Sequence, residues 1–477
     1  MLFRSIMAYL LANIALGAWA ARRVKTTQDF VLAGRGLSLT LATSVTFATW
    51  FGSESLMGAP AKFVEAAPNG GVLSIIEEPF GSALCLFLVG AFFARPLYNQ
   101  RITTFSDYFR IRFGRSAELL SAVIMIPSYF SWIAAQYIAI GIVLNVVTGL
   151  PMAAGIVISA GIVLIYTLLG GMWAISITDL LHNLIIIAAL VVLAALLFPQ
   201  VGGLTGITAK MPDGFFRFIP HQPSVQGWAT YLAAWTTIGL GSIPQQDIFQ
   251  RVMSAKSATV AVRGSYLASG LYLTVAILPL FIALAARLLH PALMGNTELS
   301  RQLIIPKLVM QYGSLPLQVL FFGALTSAIL SVSSGAILAP ATVFGENILK
   351  FFRPNISDAR LLASIRWAIV VISGCCVLMT LQRSTSIFDL VSESSAFSLV
   401  SLFVPLTAGI YWKRATSRGC LWSICLGLGA WLLCLWAKTA FPPMLWGLAA
   451  SAAGMVAGSV WPTTRPPHPR PLPVREG

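Results

Sequence analysis

Residues 48–60 read ATWFGSESLMGAP, and residues 236–246 read TTIGLGSIPQQ. Each stretch lies inside a long apolar segment and combines glycines and a proline with polar side chains. Glycine and proline weaken or interrupt the regular hydrogen bonding of a helix. At membrane depth, backbone groups freed in this way are tolerated only where they are buried in protein or line a cavity. The two stretches therefore predict two interrupted helices that face one interior site.

The spacing of the two interruptions predicts an internal repeat. They fall in the second and seventh apolar spans of the chain, which are five spans apart. Secondary transporters built from two inverted repeats, each opening with a broken helix, show this spacing. The competing interpretation is that Gly and Pro are simply frequent in membrane helices. Two interruptions at matching positions, both carrying polar residues, favour a binding site between the repeats.

The composition is that of a chain whose solvent is lipid. Of its 477 residues, 57% are hydrophobic and only 10% are charged, whereas soluble globular proteins average about 25% charged residues. The formal net charge of +15 raises the question of nucleic-acid binding. Because the basic residues stand singly or in small groups between apolar stretches, as in membrane proteins, we expect no nucleic-acid partner.

A bilayer core about 30 Å thick needs roughly 20 apolar residues per helix. By this criterion the sequence predicts an all-α integral membrane protein with about 13 transmembrane helices. Its core would be a 5+5 inverted repeat with broken second and seventh helices. The predicted spans lie near residues 2–20, 38–64, 73–94, 117–147, 152–170, 175–198, 227–250, 262–288, 313–345, 361–381, 386–411, 418–437 and 442–460.

No soluble domain fits between these spans. We therefore expect a single membrane transport domain over residues 1–462, with core helices at about 38–411, and a disordered cytoplasmic tail over 463–477. If the N-terminus is outside, 22 of the 31 Lys and Arg residues fall on the inner side. The positive-inside rule then predicts a multi-pass protein of the cell inner membrane, with the N-terminus outside and the C-terminus cytoplasmic.

Six motifs follow one another in the order seen in a known family. On these motifs the chain resembles the sodium:solute symporter family from about residue 5 to about residue 435. Each motif alone is a moderate signal, and the ordered set is a strong one. The motifs are DFVLAGRGL at 29–37, ATWFGSESLMG at 48–58, TTFSDYFRIRFG at 103–114, GGMWAISITDLLHNLI at 170–185, GSIPQQDIFQRVMSAKS at 241–257 and SAILSVSSGAILAPATVFGENILK at 327–350.

The resemblance implies a leucine-transporter-type fold and a secondary active transporter. Its activity would be sodium-coupled symport of a small organic solute by alternating access. The expected partners are the solute, sodium or a proton, and the lipid bilayer. We expect no enzyme activity, because the sequence offers no nucleophile–base pair, His/Cys metal cluster or phosphate loop, and we expect no cofactor other than sodium as coupling ion.

The resemblance also implies a sodium site between the broken second helix and the ninth. Its carbonyl ligands would come from Ala48, Phe51 and Ala328, and one hydroxyl ligand from Ser331. The family usually has a second hydroxyl at the next position, where this chain has Val332. The missing oxygen predicts weak sodium binding or coupling to protons instead. The plain alternative for this small-residue run is helix packing.

An acidic residue within an apolar helix is expensive and usually faces a cavity or a partner. Asp179, in the sixth span, is such a residue, and His182 follows it by about one turn. The resemblance implies that Asp179 lies on the sodium exit path. A titratable His beside it is suited to relaying protons, whereas a structural polar contact is the alternative for both side chains.

The two interrupted helices supply the candidate solute-binding residues. These are Trp50, Gly52, Ser53, Glu54, Trp235, Gln245 and Gln246. Glu77, Glu78, Asp389 and Glu393 are weaker candidates, and the first two suit the start of a helix.

Three alternatives remain open from the sequence. The first is a proton-coupled or uncoupled transporter with a degraded sodium site, which Val332 and His182 motivate. The second is a membrane-embedded solute sensor, although no signalling segment follows the last span. The third is a pore. Broken helices with acidic residues at different depths are more typical of a transporter that occludes its solute than of a continuous pore.

Overall fold

The computed structural model describes residues 24–65, 70–221, 224–295, 297–382 and 386–460, together with residues 12, 15–17, 19 and 22. Over these residues the chain is helical, and its only β-type pairing is an isolated bridge between Leu37 and Ala255. The all-α membrane fold predicted from the sequence is confirmed.

The first half of the chain contains both long apolar helices and short connecting ones. They are α1 Thr27–Leu32, α2 Leu39–Ala48, α3 Ala59–Phe63, α4 Val72–Tyr98, α5 Phe105–Phe113, α6 Arg115–Thr148, α7 Met152–Leu168, α8 Gly171–Leu197 and α9 Gly203–Lys210.

The second half continues in the same way. Its helices are α10 Val225–Gly241, α11 Gln246–Ser254, α12 Ala258–Leu289, α13 Glu298–Gln302, α14 Ile304–Tyr312, α15 Leu315–Phe352, α16 Asp358–Gln382, α17 Ile387–Tyr411, α18 Ser417–Trp436 and α19 Pro443–Val460.

Nine helices in the described part of the chain are long and apolar enough to cross a membrane. These are α4, α6, α8, α12 and α15–α19, and α2 and α7 are shorter apolar helices. Each predicted span from the second onward coincides with one of these helices or with a broken pair. The predicted first span, 2–20, and the tail, 463–477, lie almost entirely outside the described residues, so the total of thirteen stays a prediction.

The two interruptions occur where the sequence predicts them. Helix α2 ends at Ala48, the backbone over 49–52 is not helical, and a π-helical turn over Glu54–Gly58 leads into α3. Ser55 Oγ donates to the Trp50 carbonyl at 3.0 Å. A side chain thereby satisfies a carbonyl freed by the break, as a low-dielectric interior requires.

The second interruption separates α10 from α11. The backbone over 242–245 leaves the helical conformation, and Pro244 lacks the amide hydrogen that would continue the ladder. Tyr129, in α6, fixes the restart because its hydroxyl donates to Asp247 Oδ1 at 2.6 Å and accepts from the Asp247 amide at 3.0 Å. The break is therefore held by a neighbouring helix.

The loop before α5 is fastened by side chains from three separate elements, and we call this arrangement the inner clasp. Arg35 Nη2 donates to the Ile102 carbonyl at 2.8 Å. Gln246 Oε1 accepts from the Phe105 amide at 2.8 Å. Asn347 Oδ1 accepts from Thr104 Oγ1 at 2.7 Å. The clasp joins the entry to α2, the start of α11 and the end of α15 at the side predicted to be cytoplasmic.

Candidate functional site

A small cavity lies between the two helix breaks. Its free volume is only about 10 Å³, and its lining side chains come from the two helix breaks, the π-helical turn before α3, and helices α4, α6, α10 and α17. The lining residues are Trp50, Glu54, Glu78, Ser82, Trp132, Ile238, Ser242, Gln245, Val391, Ser394 and Ser395. Because the broken backbone and two carboxylates meet here, this cavity is the candidate solute site.

Glu54 is held by neutral hydrogen-bond donors. It is 2% exposed, and its carboxylate accepts from Ser53 Oγ at 3.1 Å, Trp132 Nε1 at 3.2 Å and Gln136 Nε2 at 3.0 Å. Burial of an ionised carboxylate is unfavourable unless it is paired or well hydrogen-bonded. Neutral donors orient Glu54 but leave its negative charge uncompensated by any described protein cation in contact with it.

Glu78 forms a second buried carboxylate in the same cavity. It is 1% exposed and accepts from the Tyr272 hydroxyl and from Ser82 Oγ, and Ser55 Oγ lies 2.7 Å from its Oε1. Among the described lining residues there is no Lys, Arg or His. The cavity is therefore lined by two carboxyl groups and by the indole rings of Trp50 and Trp132, with no basic side chain among its described residues.

Asp179 and Ser331 are brought together across α8 and α15. Both are 2% exposed, and Ser331 Oγ donates to Asp179 Oδ1. The sequence assigns these two residues to the ion path and to the sodium site, and the structure places them in direct contact. His182 is also buried, at 2% exposure, one turn further along α8. An acidic oxygen thus adjoins the predicted sodium ligands.

Val332 packs against the first helix break. A Cβ placed on Gly52 would lie 2.8 Å from Val332 Cγ2, so the break and α15 are in close contact here. Ala48 closes α2, and Phe51 lies within the non-helical residues that follow it. Ala328, the third predicted carbonyl donor, is buried in α15 one turn before Val332.

Of the seven predicted solute-binding residues, three line the cavity and four do not, namely Gly52, Ser53, Trp235 and Gln246. The Trp235 ring packs against Phe218, with ring centroids 5.8 Å apart, and against Tyr231. Gln246 belongs to the inner clasp, where its side chain is committed to backbone groups of the loop before α5. Gln245, by contrast, lines the cavity and donates to Ser394 Oγ at 3.5 Å.

The weaker acidic candidates separate in the same way. Glu78 lines the cavity, whereas Glu77 accepts from Ser392 Oγ at 2.5 Å and Glu393 from Ser131 Oγ at 3.0 Å. Asp389 accepts from no cavity residue; its amide donates to Ser386 Oγ at 3.2 Å as part of a helix cap. Of the five acidic candidates, only Glu54 and Glu78 line the cavity.

Sequence reasoning missed the contributions of α6 and α17. Trp132, Ser394 and Ser395 line the cavity, and Gln136 supports Glu54. Gln136 and Trp132 are four residues apart, so they lie on one face of α6. That polar pair in a largely apolar span was the available signal.

Comparison with protein-family models matches residues 30–427 to the sodium:solute symporter family. The chain belongs to this family. Members of the family are transporters that use sodium as coupling ion, so this chain is a solute transporter of the membrane and not an enzyme.

Curated relatives of this symporter carry different solutes. It is 29% identical over 445 residues to the human "High affinity choline transporter 1", with 89% of this chain and 75% of the relative covered. It is 26% identical over 465 residues to the "High-affinity proline transporter PutP" of Bacillus subtilis, covering 92% and 93%. It is also 26% identical to a bovine sodium/mannose cotransporter, covering 89% and 76%.

Solved structures of other transporters have a similar fold. A Na⁺-coupled sialic acid symporter in a substrate-bound outward-open state aligns with a TM-score of 0.81 at 20% identity, covering 96% of each chain. The transporter MhsT in complex with L-phenylalanine aligns with a TM-score of 0.57 at 13% identity, covering 88% and 98%. At these identities the likeness concerns the fold alone.

Proposed function

We propose that this family member couples sodium entry to the uptake of a small organic cation of the quaternary-ammonium class, such as choline, by alternating access. The observation that carries this proposal is the composition of the cavity. Two buried carboxylates, Glu54 and Glu78, and two indole rings, Trp50 and Trp132, face a space with no basic side chain among its described lining residues.

Electrostatics favours a cationic solute over an anionic or zwitterionic one. A carboxylate buried among neutral donors is stabilised when an opposite charge approaches it, because the interior screens charges poorly. A solute carboxylate would instead meet Glu54 and Glu78 with no protein cation to neutralise it. The proline transporter among the relatives is therefore a weaker guide to the solute than the choline transporters.

The indole rings favour a quaternary ammonium group over a hydrated amine. Cations are attracted to the face of a Trp ring, and aromatic cages recognise ammonium groups that carry no N–H donor. Trp132 donates its Nε1 hydrogen to Glu54 at 3.2 Å. That bond leaves the ring negatively polarised and ties the aromatic surface to the carboxylate that would neutralise the solute.

Coupling would pass through α15 and the first helix break. Sodium held near Ser331 and Asp179 would bridge α2, α8 and α15, which we propose to be the elements that move relative to one another. Unwound carbonyls at such breaks coordinate sodium in other transporters. The buried acid at Asp179 makes a proton the second candidate for the coupling ion, and the test below separates the two.

The test is uptake of radiolabelled choline into proteoliposomes that contain the full chain. An inward sodium gradient should drive accumulation that an equal potassium gradient or a proton gradient does not. Unlabelled choline should inhibit the uptake, while L-proline and D-mannose should not. Uptake no greater than in protein-free liposomes would refute the choline proposal, and uptake driven only by protons would refute the sodium proposal.

Glu54→Gln removes the cavity charge while keeping the side-chain shape. We expect choline uptake to fall about tenfold or more, because a lost charge contact of about 1.4 kcal/mol is already a factor of ten. Glu298→Gln is the matched control, since Glu298 opens the short helix α13 and lies outside the cavity. Equal effects of the two substitutions would contradict the assignment of Glu54 to the solute site.

A further inference from the structure

Val332 leaves the proposed sodium site one oxygen short, and a nearby side chain offers an oxygen without a partner. Gln136, in α6, is fully buried at 0% exposure. Its Oε1 has no hydrogen-bond partner among the described residues. Buried side-chain oxygens are almost always paired with protein, water or an ion. An orphaned amide oxygen at the centre of a transporter therefore calls for a ligand.

Glu54 fixes which way the Gln136 amide faces. The Nε2 atom of Gln136 donates to Glu54 Oε2 at 3.0 Å. With Glu54 ionised, as the proposed cationic solute requires, its carboxylate only accepts hydrogen bonds, so the amide turns its nitrogen toward Glu54 and its oxygen away. Gln136 does not line the solute cavity. Its oxygen is thus directed to the side of Glu54 that is remote from the solute.

The Gln136 oxygen lies beside both Val332 and the first helix break. A Cβ placed on Gly52 would lie 3.4 Å from Gln136 Oε1 and 2.8 Å from Val332 Cγ2, so both atoms surround a single point. Gly52 follows Phe51, whose carbonyl is a predicted sodium ligand. The unpaired oxygen therefore sits next to the position at which the family's second hydroxyl is missing.

We propose that Gln136 Oε1 is a sodium ligand that replaces the hydroxyl lost at Val332. This inference rests on the proposed sodium coupling. Hard cations bind oxygen ligands, and an amide carbonyl is a suitable one. The site combines the Gln136 oxygen with backbone carbonyls of the break over 49–52 and with Ser331.

The same side chain connects the ion to the solute. Gln136 holds sodium through Oε1 and Glu54 through Nε2, and Glu54 faces the solute cavity. Sodium binding polarises the amide, because a cation on the oxygen makes the N–H hydrogens more positive and strengthens their bond to the carboxylate. Any effect of sodium on solute affinity through this contact is matched by an equal effect of solute on sodium affinity, because linkage makes the coupling reciprocal.

The test measures sodium binding without transport. Thermal unfolding of the purified full-length protein in detergent is followed as sodium chloride replaces potassium chloride at constant ionic strength. A ligand that binds the folded state raises the unfolding temperature with its concentration. Gln136→Leu should shift the sodium concentration of half-maximal stabilisation upward by about tenfold or more. Adding Val332→Thr to that variant should restore part of the lost affinity.

Two further variants test this interpretation. Gln226→Leu makes the same chemical change on the exposed first turn of α10, outside the cavity, so its sodium response should match that of the unsubstituted protein. Gln136→Asn keeps the amide but withdraws its oxygen by one methylene, so it should also weaken the sodium response. It provides the test if Gln136→Leu does not fold.

The outcomes separate this inference from the proposed function. If sodium stabilises the protein and both Gln136 variants keep the same sodium response, the oxygen is satisfied by water alone and the inference is wrong. If choline is transported and sodium does not stabilise any form of the protein, sodium coupling fails and this inference fails with it. Weaker sodium binding in the Gln136 variants, restored in part by Val332→Thr, would establish the inference.

Discussion

Asp179 is the residue at which ion binding and helix packing meet. Its carboxylate is buried and accepts the Ser331 hydroxyl between α8 and α15. Asp179→Asn keeps the shape and removes the charge that attracts a cation. We expect sodium-driven uptake to fall about tenfold or more, and the sodium concentration for half-maximal uptake to rise, since a single unit-charge contact is worth more than about 1.4 kcal/mol in a poorly screened site.

Folding yield provides the control for Asp179. The amount of monodisperse protein recovered after solubilisation should be the same for Asp179→Asn as for the unsubstituted chain. Ser331→Ala, which removes the donor and leaves the carboxylate, should change sodium affinity in the same direction. A loss confined to the amount of folded protein, with normal sodium dependence in what remains, would assign Asp179 a structural role.

Individual site residues differ in how far the sequence could predict them. Glu54 and Ser331 stand in or beside interrupted or small-residue stretches, so their local sequence marks them. Trp132 and Gln136 stand in a largely apolar helix, and their role depends on which carboxyl group that helix meets in space. Gln246 lies in the inner clasp, because a polar residue at a break can turn either toward the cavity or toward a loop.

Close packing at the second helix break makes Gly241 the most restrictive position of α10. A Cβ there would lie 2.3 Å from the Ser395 carbonyl oxygen and 3.0 Å from Leu399 Cβ. Backbone cannot yield as a side chain does, so Gly241→Ala must push α10 away from α17. We expect destabilisation of about 1–3 kcal/mol, the usual cost of overpacking, measured as a lower unfolding temperature in detergent.

Gly270→Ala in α12 is the matched control for that substitution. No heavy atom lies within 4 Å of a Cβ placed on Gly270. Alanine has a helix propensity about 0.8–1.0 kcal/mol better than glycine, so this variant should keep or slightly raise the unfolding temperature. If Gly241→Ala is as stable as Gly270→Ala, the contact between α10 and α17 is looser than the structure indicates.

Helices were predicted well where a long apolar run, or a Gly or Pro residue that interrupts a helix, identified them. Both interruptions follow from their Gly and Pro residues. The junction between α7 and α8 shows the limit of that reasoning. There Gly171 adopts φ +52°, and a Cβ on it would lie 2.5 Å from the Phe30 carbonyl oxygen. The turn is set by close approach to α1, which a local pattern cannot reveal.

Topology is a property of the whole molecule and is open to direct test. Three apolar helices, α6, α7 and α8, separate the short helix α5, which carries Arg110, from the helix that ends at Lys210. An odd number of crossings places these two points on opposite sides of the membrane. Reporter fusions should therefore place Arg110 in the cytoplasm and Lys210 outside, and matching signals at both positions would contradict this arrangement.

The solute could not be predicted from the sequence because its cavity belongs to the assembled molecule. Five separate parts of the chain each contribute a few side chains, and the charge of the cavity depends on all of them together. Glu78 illustrates this, since it resembles an ordinary helix-start residue until α12 delivers Tyr272 to it. The fold, in contrast, follows from repeated local signals along the chain.

The inner clasp bears on how fast the molecule can work. Arg35, Gln246 and Asn347 hold one loop from three directions, so the side predicted to be cytoplasmic cannot open until several hydrogen bonds break together. Such bonds contribute about 0.5–1.5 kcal/mol each. Because an open conformation would lack them, they raise the barrier to opening and also favour the closed conformation at equilibrium. The clasp would then lengthen the dwell time of the closed conformation and lower the turnover number.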